Sequence, residues 1–224
     1  MLYPKNQTTV RCESAKTLGG ALRLFSTGGS PKLLVFQVIV AFIGRLFLAP
    51  PTWDDLWIFV AVFTWWPFQE WAAHLWILHQ KPRKIGPWTW DSAAARVHRY
   101  HHRHPWQLEA IFVPTVVILV LMPIHALFWI GVTPNLSLAL SGIIAYTIAS
   151  IMYEWIHFFA HIPYRPKSRW MKTIQKNHLA HHFKNEHYWH AFTIPAIDKL
   201  MGTGPDPKHT QRSPTCRNLG VNTH

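Results

Sequence analysis

Two stretches of the chain spell the same pattern, "HRYHH" at residues 98–102 and "HLAHH" at 178–182. Each sets imidazoles at i, i+3 and i+4, positions that share a face of an α-helix. On that spacing His98, His101 and His102 point one way, and so do His178, His181 and His182. Two pairs join them: His157 and His161, four apart, and His74 and His79, five apart. On an ideal helix the last two diverge by about 140° and can reach two different ions. Imidazole suits zinc, copper, iron or nickel. Ten such ligands exceed the coordination number of one ion, and about five apiece suits two. Without metal the cluster is untenable, because charged rings repel and buried neutral rings lack partners.

Carboxylates lie one turn ahead of two ligands, Glu70 before His74 and Glu154 before His157. Both are expected to accept from a ligand's second ring nitrogen, which fixes the ring and raises its basicity. Carboxylate-bridged di-iron bundles need two E-x-x-H repeats and further Glu residues. This chain has five Glu and one such repeat, Glu154–His157, which excludes that architecture. His104, His187 and His190 fall near the motifs but outside their spacing and read as a solvated face. His125 sits in an apolar run, and His209 and His224 read as tail residues.

Four apolar segments must carry these side chains: 33–49, 56–79, 111–132 and 136–161. A helix crosses the hydrocarbon with about twenty residues. Arg45 interrupts the first and is expected to snorkel toward a surface; Pro67 is expected to kink the second. The fold class expected is therefore an all-α, multi-pass membrane bundle of four spans with a histidine-rich cytoplasmic cap. Residues 1–32 read as a flexible basic tail, 33–203 as the membrane-embedded domain and 204–224 as a C-terminal tail. Lys and Arg number five in residues 1–32, six in 80–108 and nine in 163–212, against none in the turns "PPTWDD" and "GVTPN". Positive charge marks the cytoplasmic side. That count ignores histidine, yet it puts all ten motif histidines on one face.

Composition agrees. Only 14% of residues are charged and 49% are hydrophobic, against about 25% charged in a soluble domain. The net charge of +12 does not indicate nucleic acid, because the basic residues alternate with apolar runs instead of forming a stripe. Cys12 and Cys216 lie near opposite ends, which argues against a disulfide framework or thiolate metal site.

The runs "EWAAHLWILHQKP", "HRYHHRHP", "YEWIHFFAH", "KNHLAHHF" and "IDKLMGT", within residues 70–203, resemble the fatty acid hydroxylase/sterol desaturase superfamily of integral membrane enzymes. The resemblance implies a di-metal centre held by His74, His79, His98, His101, His102, His157, His161, His178, His181 and His182. Two irons are implied, with zinc possible in a purified protein. It implies O₂ as co-substrate and hydroxylation or desaturation of an unactivated C–H bond in a membrane lipid, fatty acyl, sterol or carotenoid-type. It also matches Asp198 to a family position, where a structural hydrogen-bonding role is expected. No haem, ferredoxin or dinucleotide motif appears, so electrons are expected from a separate b-type cytochrome, or ferredoxin, with its reductase. The implied location is the bacterial inner membrane or endoplasmic reticulum. A membrane metal transporter is the rival outside enzymes; such proteins place their sites near the bilayer midplane.

Overall fold

A computed structural model describes residues 15–221. Cys12 and His224 lie outside the described residues, as do residues 1–14 of the expected N-terminal tail. Within them, Leu18–Phe25 forms helix α1, capped by the Thr17 side chain, and buries Ala21. The expected tail therefore contains a packed helix.

Long helices follow the apolar segments: α2 (Gly29–Leu46), α3 (Trp53–Ala73), α6 (Thr115–Val132) and α7 (Leu136–Ala160). Between α3 and α6 come β1 (Arg83–Ile85), β2 (Trp88–Trp90), α4 (Ala93–Arg103) and the short α5 (Leu108–Ile111). After α7 come α8 (Arg169–Phe183) and α9 (Ala196–Leu200). Among the described residues three segments, Gly29–Leu46, Leu108–Val132 and Leu136–Ala160, are long and apolar enough to cross a membrane.

Helix α7 is the hub, packing on α2, α3, α6 and α8. Its buried face is small, with Ala139, Gly142, Ala145 and Ala149, which lets neighbours approach closely. At Gly142 a Cβ would run into the Trp129 ring, so α6 rests closely on this glycine. Helix α6 instead turns Leu119, Val120, Ile124, Leu127 and Phe128 outward. An exposed apolar face of this extent marks an interaction surface rather than a water-facing one.

Arg45 does not snorkel. It is buried at the end of α2, where its Nη2 lies 3.0 Å from both oxygens of Asp55 and its Nε 3.1 Å from Ser141. A carboxylate at the start of α3 is nearer than any headgroup, and Asp55 also accepts from the Thr52 backbone N–H in a capping box. This ion pair ties α2, α3 and α7 together at the end opposite the histidines.

Residues 204–221, expected as a tail, are docked. Cys216 and Leu219 are buried, Cys216 without a disulfide. The Trp189 Nε1 donates to the Pro205 carbonyl at 3.0 Å, and Arg217 Nη2 to the Arg103 carbonyl at 2.7 Å. Apolar Cys216 and Leu219 between polar neighbours give this segment something to bury, which its loop-like composition concealed.

Candidate metal centre

Helices α4, α7 and α8 and the end of α3 deliver ten imidazoles to one buried place. Serine caps α4 and α8: Ser92 accepts from the Ala95 N–H and Ser168 from the Met171 N–H, each at 3.2 Å. The rings sort into two groups of five, each able to hold an ion. One is His74, His79, His98, His102 and His181; the other is His101, His157, His161, His178 and His182.

This sorting departs from the spacing argument twice. His74 and His79 serve the same group because residues His74–Leu78 form a π-helical turn. The His79 N–H bonds the His74 carbonyl at 3.2 Å, so five residues make one turn and the rings fall on one side. The two triplets, conversely, divide. His98 and His102 join the first group while His101 joins the second; His178 and His182 join the second while His181 joins the first.

The donor atoms fit a cation. His98 Nε2 lies 3.1 Å from that of His74, 3.2 Å from His79 and 3.1 Å from His102. A neutral imidazole offers one hydrogen and one lone pair, so at most one of these three contacts is a hydrogen bond. His102 and His181 exclude even that. Their Nδ1 atoms donate to the carbonyls of Cys216 at 2.8 Å and Tyr188 at 2.7 Å. Their Nε2 lone pairs therefore face each other across 3.2 Å. In the second group His101 Nε2 is 3.0 Å from His182 and 3.1 Å from His157, and His178 is 2.7 Å from His161 and 3.1 Å from His182. Ligands about 2.1 Å from an ion and at right angles to one another stand about 3.0 Å apart.

Electrostatics point the same way. Burial, reinforced by neighbouring imidazoles, holds His98, His101, His178, His181 and His182 well below the usual histidine range. Burial takes His102 down to about 4. Rings kept neutral keep their lone pairs for metal.

Both glutamates are near the centre but orient backbone instead of imidazole. Glu70 accepts from the N–H groups of Phe192, 2.7 Å, and Thr193, 2.9 Å, and from the Thr193 hydroxyl. Glu154 accepts from the Val113 N–H at 3.1 Å. Asp198 takes the N–H groups of His190 and Ala191, both at 2.9 Å, and the Thr203 hydroxyl at 2.7 Å. Burial pushes its carboxyl up to about 6. Main-chain carbonyls orient the rings: His74 Nδ1 donates to His190 at 2.8 Å, and the Ile111 carbonyl takes His157. Asp198 thus acts on His74 through residue 190.

His190 was not singled out by spacing, yet it is fully buried, its ring 5.3 Å from that of His74 and 5.4 Å from those of His79 and His181. Nothing in the local pattern announces it, since the preceding Trp189 adopts a left-handed backbone, φ 61°, that breaks helical periodicity. His104 packs on Tyr100, His187 and His209 are exposed, and His125 accepts from Trp129 Nε1 at 2.8 Å. An apolar cavity of about 250 Å³ between α2, α3, α6 and α7 reaches His74 and Tyr153 at one end and Met122 and His125 at the other.

The fatty acid hydroxylase family profile matches residues 59–203. Dihydroceramide fatty acyl 2-hydroxylases FAH2 and FAH1 of Arabidopsis thaliana are each 30% identical, over 144 and 146 residues, 64% of this chain and 58% of theirs. The ceramide very long chain fatty acid hydroxylase SCS7 of Saccharomyces cerevisiae is 28% identical over 155 residues, 66% of this chain and 38% of that one. The chain thus spans less than two thirds of the length of these relatives. The solved hydroxylase domain of scs7p shares the fold, with TM-score 0.64 at 19% identity over 82% of this chain and 68% of that one.

Proposed function

This chain belongs to the fatty acid hydroxylase family, and from that premise we propose that it is a membrane-bound di-iron oxygenase that hydroxylates a lipid acyl chain. The observation that carries the reading is the pair of His102 and His181 lone pairs held 3.2 Å apart, an arrangement only a cation stabilises. The relatives' names, ceramide and dihydroceramide hydroxylases, favour a sphingolipid-like or fatty acyl substrate.

Four spans are proposed, α2, α3, α6 and α7, with the histidine cap on the cytoplasmic face where Lys and Arg collect. The apolar cavity takes the substrate chain from the lipid, excludes water and brings one carbon toward His74. Leu34, Val113, Ile118 and Met122 hold the chain by apolar contact, while Tyr153 and Glu70 border the end nearest the imidazoles. A pair of reduced irons bound by the two groups would supply the electrons that activate O₂ for attack on the C–H bond. The chain's own task is to keep ten nitrogens unprotonated and aimed. Electrons come from a separate carrier, docked on the basic cytoplasmic face.

Purified protein, assayed for metal and then given ¹⁸O₂, a reductant system and membrane lipid, tests this. Two non-haem irons per chain and a labelled hydroxyl on an acyl chain are expected. A Soret band, or metal flux into proteoliposomes with no labelled product, would overturn it.

A further inference from the structure

The ribbon joining His79 to the α4 helix is unlike the rest of the cap. Strands β1 and β2 pair antiparallel, with Arg83 opposite Trp90, Lys84 opposite Thr89 and Ile85 opposite Trp88. Gly86, at φ +59°, opens the two-residue turn, a position that favours glycine. Directly paired residues share a face of the ribbon. One face therefore carries Ile85, Trp88 and Trp90 beside Arg83, and the other Lys84 and Thr89. All six strand residues are exposed, Ile85 by 61%, Trp88 by 77% and Trp90 by 57%. A two-stranded ribbon left this exposed by the described residues is marginal in water.

We propose that this hairpin is an interfacial anchor that lays Ile85, Trp88 and Trp90 into the headgroup region of the protein's own bilayer, with Lys81, Arg83 and Lys84 on anionic lipid phosphates. The inference rests on the membrane-embedded reading of the helices. Its place in the chain supports it. Trp76 and Ile77, on the last turn before the hairpin, are 65% and 52% exposed, so the outward apolar face of the α3 segment continues to within six residues of Arg83. Indole rings collect at membrane interfaces, and basic side chains beside them reach headgroups. The nearby acid, Asp91, is already bound by Arg99, which leaves the local positive charge for an outside anion. An acidic protein would match the charges but leave the indoles uncovered. A second copy would set like charges against each other. Because the hairpin connects His79 to His98, its depth sets the height of the first histidine group above the lipid.

Nitroxide labels on Trp88→Cys, Phe128→Cys and Lys208→Cys, each in a Cys12→Ser background, test this in lipid nanodiscs by collision with O₂ and with a water-soluble nickel chelate. Phe128 lies on the outward face of α6 and Lys208 on an exposed loop. The label at 88 is expected to favour O₂ over nickel, as at 128, and this preference should rise by at least about threefold when phosphatidylglycerol is mixed into phosphatidylcholine. Lys81→Gln/Arg83→Gln/Lys84→Gln in the same labelled protein should abolish that rise. A label at 88 that behaves as at 208 while 128 reports lipid overturns the anchor alone. Water exposure at both 88 and 128 overturns the membrane reading and the anchor together. Dipolar broadening between labels at 88 assigns the face to a second copy and overturns the lipid partner.

Discussion

His102 and His182 stack across the seam between the two histidine groups, ring centroids 4.1 Å apart and planes 30° from parallel. Each belongs to a different group, and each is peptide-bonded to a residue of the opposite one, His101 and His181. The two groups are therefore stitched together by single backbone steps on α4 and α8, and neither can be displaced alone.

The groups are not equally braced. Carbonyls of His190, Cys216 and Tyr188 fix three rings of the first, whereas Nδ1 of His101, His178 and His182 in the second meets no hydrogen-bond partner among the described residues. A fixed outer bond is worth about 10–100-fold in metal affinity. Titration with a chelator should remove one ion well before the other, and His182→Ala should abolish the early phase. Simultaneous release of both ions would contradict this.

Asp198→Ala strips the acceptor from two buried N–H groups, at about 1–3 kcal/mol each. It also frees residue 190, whose carbonyl orients His74. Metal affinity is expected to fall about 10–100-fold, measured by competition with a fluorescent chelator. Unchanged affinity in a folded variant would remove Asp198 from the centre.

Ending the chain after Arg212 deletes the Cys216 carbonyl that holds His102. We expect about 10–100-fold weaker binding of one ion, with the second retained. A truncated protein holding both ions as the full chain does would show that this bond is idle.

In the metal-free protein His102 and His190 are each depressed to about 4 by burial. Above pH of about 6.5 both folded and unfolded chains leave them neutral. As pH falls through the window from there to about 4, the unfolded chain takes up protons that the folded one refuses, so stability drops, by about 3 kcal/mol for each ring. Thermal unfolding of metal-free protein at pH 8, 6 and 5 should show a falling midpoint; a flat profile would count against burial of these rings.

Arg45→Met leaves Asp55 buried without its partner, at about 3–5 kcal/mol. The pair sits at the far end of the bundle from the histidines, so metal bound per folded chain should not change. Loss of metal at full stability would reverse that separation.

The histidine pattern and the helices that carry it were legible because periodicity states which residues share a face. Which ion each ring serves was not. His101 and His102 are about 100° apart on their helix, enough to aim them at two points, and only the facing α8 decides between those points. The π turn at His74–Leu78 changed the helical repeat itself, which spacing arguments assume. Glu70 and Glu154 looked like partners of nearby histidines, but uncapped backbone at Phe192, Thr193 and Val113 was closer. The docking of 204–221 depends on contacts distant in sequence, as with Cys216 and His102.

That last contact orders events in time. A nascent chain can display His74 through His182 long before residue 216 has left the ribosome, but until then His102 has nothing to fix its tautomer. An ion captured earlier would meet a His102 ring that the Cys216 carbonyl does not yet orient. Secure loading of the first histidine group thus waits until residue 216 has emerged and docked against His102.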